Sequence, residues 1–172
     1  MNSVICISGM SGSGKNSVGA LVAKSLRLRL VNPTFKNLAK VRGVSLMEYQ
    51  KMANSDSHID RDFDRAVKAE AKRGNCVITT WLGPWMAAKC MRVWLHADQK
   101  TRAARIAKRD GMAIGAALSH LRQRDGDNRI RYAKLYRIDI TDHSEFDLTI
   151  NTKNLRPAQS AAIITAAAKA RG

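Results

Sequence analysis

The chain has 172 residues, with 30 Lys and Arg against 14 Asp and Glu, and a formal net charge of +16 at pH 7. Its length supports one domain with a real core, and 45% hydrophobic content with only 3 prolines excludes a disordered or low-complexity chain. No apolar run approaches the roughly 18 residues of a membrane span, and three cysteines without CxxC spacing exclude a disulfide framework or a zinc site.

Met1 to Ser8 lacks a basic leader region, so Val4 to Ser8 reads as a β-strand and not as part of a signal peptide. With Cys6, Cys76 and Cys90 in or beside apolar stretches, a reducing, cytoplasmic setting is expected. Asn16 to Leu28 carries Val18, Leu21, Val22 and Leu26 at helical spacing, and Leu28 to Val31 follows as a second strand. Asn32-Pro33-Thr34 breaks the chain and caps a helix over Phe35 to Val41, closed by Gly43. Ser45 to Glu48 has capping-box spacing and opens a helix to about Asn54; Asp56 to Arg73 is a longer one, closed by Gly74.

Cys76 to Thr79, Met91 to Leu95 and Leu148 to Asn151 read as further strands, the first apolar enough to be buried on both faces. Helices are expected at about Lys100 to Arg109, at Ala113 to Tyr136 with an interruption near Gly126, and at Ala158 to Ala170. Strands alternating with helices imply an α/β fold around a central parallel sheet.

The charge requires an anionic partner, either a polyanion such as RNA or small phosphorylated ligands. Gly9-Met10-Ser11-Gly12-Ser13-Gly14-Lys15-Asn16-Ser17 lies directly between a strand and a helix, the setting of a phosphate-binding loop of form GxxxxGK[ST]. Glycines allow a turn that aims several N–H groups inward, and the following helix adds a partial positive charge. The residue after Lys15 departs from the pattern: Asn16 stands where Ser or Thr would supply a hydroxyl to Mg²⁺, and Ser17 is one place late. From Lys100 to Arg137 the chain holds 11 basic and 3 acidic residues, a surplus of +8 and half the total. Phosphoryl transfer needs such a clamp, though a solvated helix face or a polyanion surface fits the run equally.

Several segments together resemble the archaeal type of cytidylate kinase, among the nucleoside monophosphate kinases. They are the Ile7-Ser8-Gly9 entry to the loop, Leu38 to Leu46, Ile59 to Asp64, Trp85-Met86, Val93-Trp94-Leu95, Arg131-Tyr132, Tyr136 to Ile140, and Phe146 to Thr152. The resemblance implies a P-loop kinase fold over 1–172, with helical acceptor-binding segments at about 34–73 and a lid at about 109–131. It implies transfer of the ATP γ-phosphoryl group to CMP and dCMP with Mg²⁺. Gly9 to Ser17 and Arg109 would hold ATP, Asn16 and Ser17 would face the metal, and Lys15, Arg124 and Arg131 would carry the catalytic charge. Lys36, Asp60 and Arg61 fall on the acceptor side, as does Trp81, which stands in the acceptor-side loop.

Two further departures accompany Asn16. Thr79-Thr80-Trp81 replaces a Glu-Gly-Arg type segment, and Asn32-Pro33-Thr34 shortens the turn after the second strand. Together with Lys24, Arg27, Arg29, Lys68, Lys72 and Arg73, which have no substrate role, these keep open RNA or ribosome binding by a catalytically weakened relative. His58, His96, His120 and His143 lack metal-ligand spacing and read as surface or helix-end residues, and Trp94 reads as core.

Overall fold

The computed structural model describes residues 3–171. In chain order it contains β1 (Val4–Ser8), α1 (Lys15–Leu26), β2 (Arg29–Val31), α2 (Phe35–Val41), α3 (Leu46–Ser55), α4 (Ser57–Arg73) and β3 (Cys76–Ile78). These are followed by α5 (Gly83–Met86), β4 (Met91–His96), α6 (Gln99–Asp110), α7 (Ile114–Tyr136), β5 (Leu148–Asn151) and α8 (Pro157–Ala170). The five strands pair in parallel in the order β2-β3-β1-β4-β5.

The two-residue period of the strands sorts their side chains onto two cores. Ile5, Ile7, Val77, Val93, Leu95 and Ile150 face one side, where Val18 and Val22 of α1 and Ala161 and Ile164 of α8 cover them. Cys6, Val31, Cys76 and Ile78 face the other, packed by Val67 of α4, Leu82, Met86 of α5, Tyr132 of α7 and Ile140. With both faces covered, these strands are apolar without alternation. Smaller clusters join α2 to α3 and α4 through Ala39, Tyr49, Ala53 and Ile59, and α6 to α7 through Ile106, Ala117 and Leu121.

Local signals set most boundaries. Thr34 accepts from the Asn37 amide, and Ser45 and Glu48 form a reciprocal capping box. Arg27 ends α1 in the left-handed region, so Leu28 belongs to the connection and β2 begins one residue later than expected.

The expected interruption near Gly126 is absent, and α7 runs unbroken through it. Packing of α7 against α6 and α3 outweighs the roughly 1 kcal/mol that a mid-helix glycine costs. The segment at 109–131 is therefore the end of α6, a turn at Gly111 and most of one long helix. The short α5, entered through Pro84, is an element the apolar pattern did not reveal. His143, read as a surface residue, stacks on Trp94 with ring centroids 4.0 Å apart. Among the described residues no helix is long and apolar enough to cross a membrane.

The seat of α1 on β3 gives a direct test. A Cβ at Gly19 would collide with the Thr79 methyl group, whereas one at Gly126 meets nothing within 4 Å. Gly19→Ala is expected to lower stability by about 1–3 kcal/mol, and Gly126→Ala to raise it by about 0.5–1 kcal/mol, both measured by urea denaturation.

Candidate active site

The loop between β1 and α1 is held from outside by its carbonyl groups. Arg102, 4% exposed, donates to the Ser11 carbonyl at 2.9 Å, to the Ala97 carbonyl at 3.0 Å and to Asp125 Oδ2 at 2.6 Å. The Ser11 amide donates to Asp125 Oδ1 at 3.3 Å, so the same carboxylate reaches the loop from α7. Arg105 donates to the Gly12 and Ser13 carbonyls at 3.4 Å and to the Thr152 carbonyl at 2.6 Å, while the Thr152 hydroxyl donates to Ser13 at 3.0 Å.

Gly12 lies so close to α6 that a Cβ there would stand 2.7 Å from the Arg102 carbonyl. Gly14, at φ 96°, is the N-cap of α1; it offers no capping side chain, and no acidic residue occupies the first turn. The positive end of α1 is thus open to an anion.

Beside this loop, at the C-terminal ends of β1 and β3, lies a cleft of about 330 Å³. Strand order reverses around β1, the position where ligands bind in open parallel sheets. Ser11, Gly12, Lys15 and Asn16 form one wall, and Lys36, Arg109 and Arg124 bring three more cations. Burial, followed by the charge of Arg124, pushes the Lys15 ammonium down from 10.5 to about 7, with Asp125 opposing. Its Nζ lies 5.4 Å from the centre of the Trp81 ring. Burial likewise lowers Arg124, whose Nε is buried without a hydrogen-bond partner. Asp110 binds Arg109 at 2.6 Å and Lys36 at 2.8 Å, and the two cations hold its carboxyl below the usual range.

The remaining lining is less charged. Phe35, Phe63, Trp81 and Tyr132 supply aromatic surface, and Gln50, Asp64 and Asn128 are among the polar groups. Among the described residues, six buried oxygens of the lining lack partners: Ser11 Oγ, Asn16 Oδ1, Asn32 Oδ1, Asp64 Oδ2, Thr79 Oγ1 and Thr80 Oγ1. The Trp81 carbonyl accepts from the fully buried Ser8 hydroxyl at 2.6 Å, which ties the segment after β3 to the end of β1.

The expected site residues are only partly brought together. Lys15, Asn16, Lys36, Trp81, Arg109 and Arg124 line the cleft together with Ser11 and Gly12, while Gly9, Met10, Ser13 and Gly14 shape the loop without lining it. Ser17, expected at the metal, is exposed and does not line the cleft, because one further helical step turns it away. Arg61 is exposed for the same reason on α4.

Asp60 and Arg131, expected to meet substrate, are buried against each other, with Arg131 Nε 2.7 Å from Asp60 Oδ2. Arg131 also donates to Asn54 at 3.0 Å and to Asn128 at 2.9 Å, and Gln50 donates to Asn128 at 2.6 Å. This network stands behind the cleft wall and fixes its inner face. Asp64, Gln50, Asn128 and the Arg102–Asp125 pair were not singled out from sequence; each is a polar residue on a helix face, recognisable only once the partner element is in place.

The low Lys15 pKa has a stability consequence. Between pH about 7 and 10.5 the unfolded chain binds the lysine proton that the folded chain has released, so this group's contribution to stability increases as pH rises through that window. Denaturation midpoints of the wild type, minus those of Lys15→Met, are expected to rise over that range. A flat difference would contradict the buried setting of Lys15.

Residues 4–154 match the model of the cytidylate kinase-like family. The chain is 40% identical over 167 residues to a cytidylate kinase of Pyrococcus horikoshii, covering 95% of this chain and 87% of the relative. It is 43% identical over 158 residues to a cytidylate kinase of Ignicoccus hospitalis, covering 90% and 92%. Among solved structures, an uncharacterized protein from Eubacterium ventriosum superposes with TM-score 0.71 at 17% identity, covering 98% of this chain and 99% of the other. Shikimate kinase from Bacteroides thetaiotaomicron gives TM-score 0.64 at 15% identity, covering 97% and 98%; at such identity these likenesses speak for the fold, that of P-loop kinases. A strand-loop-helix phosphate site, a cationic cleft and this extent of sequence identity agree, and the chain belongs to the cytidylate kinase-like family.

Proposed function

We propose that the protein transfers the γ-phosphoryl group of ATP to CMP and dCMP. The observation that carries this reading is the convergence of Lys15, Lys36, Arg109 and Arg124 on one cleft beside a glycine-rich loop, in a chain similar to cytidylate kinases. Phosphoryl transfer needs little covalent help from the protein, since its transition state spreads negative charge over oxygens that fixed cations can meet. The start of α1 and Lys15 suit the donor phosphates, and Arg109 and Arg124 suit the space between donor and acceptor. Lys36, on α2, suits the acceptor phosphate.

Asn16 Oδ1 is a buried, unpartnered oxygen in a cleft-lining residue, a hard neutral donor that fits Mg²⁺ or a water bound to it. Mg²⁺ held there would neutralise charge between the phosphates. The Asp60–Arg131 pair acts through its neighbours, holding Asn54 and Asn128 in place. ATP chemistry and three free thiols suit the cytoplasm.

The polyanion alternative rests on the three departures from the kinase pattern and on the net charge, part of which lies outside the cleft. There, Arg29 and Arg73 both pair with the one carboxylate of Glu70. The kinase reading accounts for the cations in the cleft and is preferred.

ADP formation with ATP, Mg²⁺ and each of CMP, dCMP, UMP and AMP tests the reading. Turnover is expected to be highest with the cytidine nucleotides and lost in Lys15→Ala; no turnover above that variant with any acceptor would sink it. Asn16→Ser, which restores a hydroxyl at the metal position, is expected to raise kcat at saturating CMP, measured in the same assay.

A further inference from the structure

The acceptor end of the cleft holds a carboxyl group that the phosphate chemistry does not use. Asp64 projects from α4 into the wall and is only 5% exposed; its buried Oδ2 makes no hydrogen bond of good geometry, and the Tyr136 hydroxyl beside it is likewise unpartnered. Phe35, Phe63 and Tyr132 line the same cleft, as do the unpartnered hydroxyls of Thr79 and Thr80. A carboxyl among aromatic walls is a poor neighbour for a phosphate. It suits the edge of a flat base that presents an N–H donor.

We propose that Asp64 accepts a hydrogen bond from the exocyclic amino group of the acceptor base and so selects cytosine over uracil. The inference rests on the kinase reading and deepens it. Cytosine offers an amino donor where uracil offers a carbonyl oxygen. An ionised carboxyl attracts the first and repels the second, and a buried polar group left without a partner is costly.

The groups that act on Asp64 are Asp60 and Lys68 on its own helix, and Arg131, Tyr132 and Tyr136 on α7. Burial, reinforced by Asp60, raises its carboxyl to about 7, against the Tyr136 hydroxyl, Lys68 and Arg131. Below that pH the protonated group can donate to the uracil oxygen and tolerates UMP; above it, only the amino group is accepted. Selectivity for CMP over UMP therefore increases with pH. Because the amino group favours the ionised form, CMP binding releases a proton near neutrality.

Two measurements test this. In the first, kcat/KM for CMP and UMP is compared at about pH 6 and about pH 8 in wild type and Asp64→Asn, whose amide can turn either its oxygen or its NH₂ to the base. The wild-type CMP:UMP ratio is expected to rise about tenfold between these pH values. In Asp64→Asn the ratio becomes pH-independent and about tenfold lower than wild type at the higher pH, with KM rather than kcat for CMP carrying most of the change. In the second, calorimetry of CMP binding in two buffers of different ionisation heat near neutral pH is run on wild type and Asp64→Asn, so that protons exchanged by Lys15 and by the CMP phosphate cancel, and is expected to show more proton release by the wild type. Wild type that phosphorylates CMP with no more proton release than Asp64→Asn, and a variant that keeps the wild-type ratio and pH profile, would overturn the assignment of Asp64 alone. Wild type that neither binds nor phosphorylates any nucleoside monophosphate would overturn the kinase reading and this inference with it.

Discussion

A buried guanidinium can be tolerated only when its donors are satisfied, and Arg102 satisfies its own by joining three separate parts of the chain. It takes the carbonyl of Ala97 after β4, the carbonyl of Ser11 in the glycine-rich loop, and the carboxylate of Asp125 on α7. The Asp125 carboxylate in turn receives the Ser11 amide. The glycine-rich loop and the helix that brings Arg124 to the cleft are thereby fixed to one point. Arg105 and Thr152 repeat the arrangement one step along, holding the Gly12 and Ser13 carbonyls. Several of the arginines that make the 100–137 stretch so basic thus build the loop and its supports before any of them meets a ligand.

That division explains what could be read in advance. The strands, the helices and their caps follow from periodicity and from residues such as Thr34, Ser45 and Gly74, because these signals act within a few positions along the chain. The glycine-rich loop was legible for the same reason. The break expected at Gly126 failed because the packing of α7 against its neighbours, invisible to a local reading, outweighs a local penalty. Arg131 and Asp60 look like substrate groups in sequence, but residues 71 apart neutralise each other in the fold. Resemblance carries residue types across a family, and it does not say which charges a particular chain has paired.

Electrostatically, the molecule separates charge by role. The Asp60–Arg131 pair and the Arg102–Asp125 pair are neutral units inside the wall. Lys15 and Arg124 face the cleft without a carboxylate partner among the described residues, and each is disfavoured in its charged form by burial. Asp110 binds both Lys36 and Arg109 and so holds the two cations side by side at the cleft. Two long side chains have therefore already lost much of their rotamer freedom, which lowers the entropy cost of gathering them around a phosphate.

Trp81 stands where the family resemblance leads one to expect an arginine, and its carbonyl is anchored by Ser8. Trp85 and Trp94 pack with Phe146 and do not line the cleft, so Trp81 is the indole that does. With the Lys15 ammonium over its face, its excited state is exposed to the field of that charge. Whatever moves the lysine changes that field, so the substitution gives the protein an optical probe of the charge beside its glycine-rich loop.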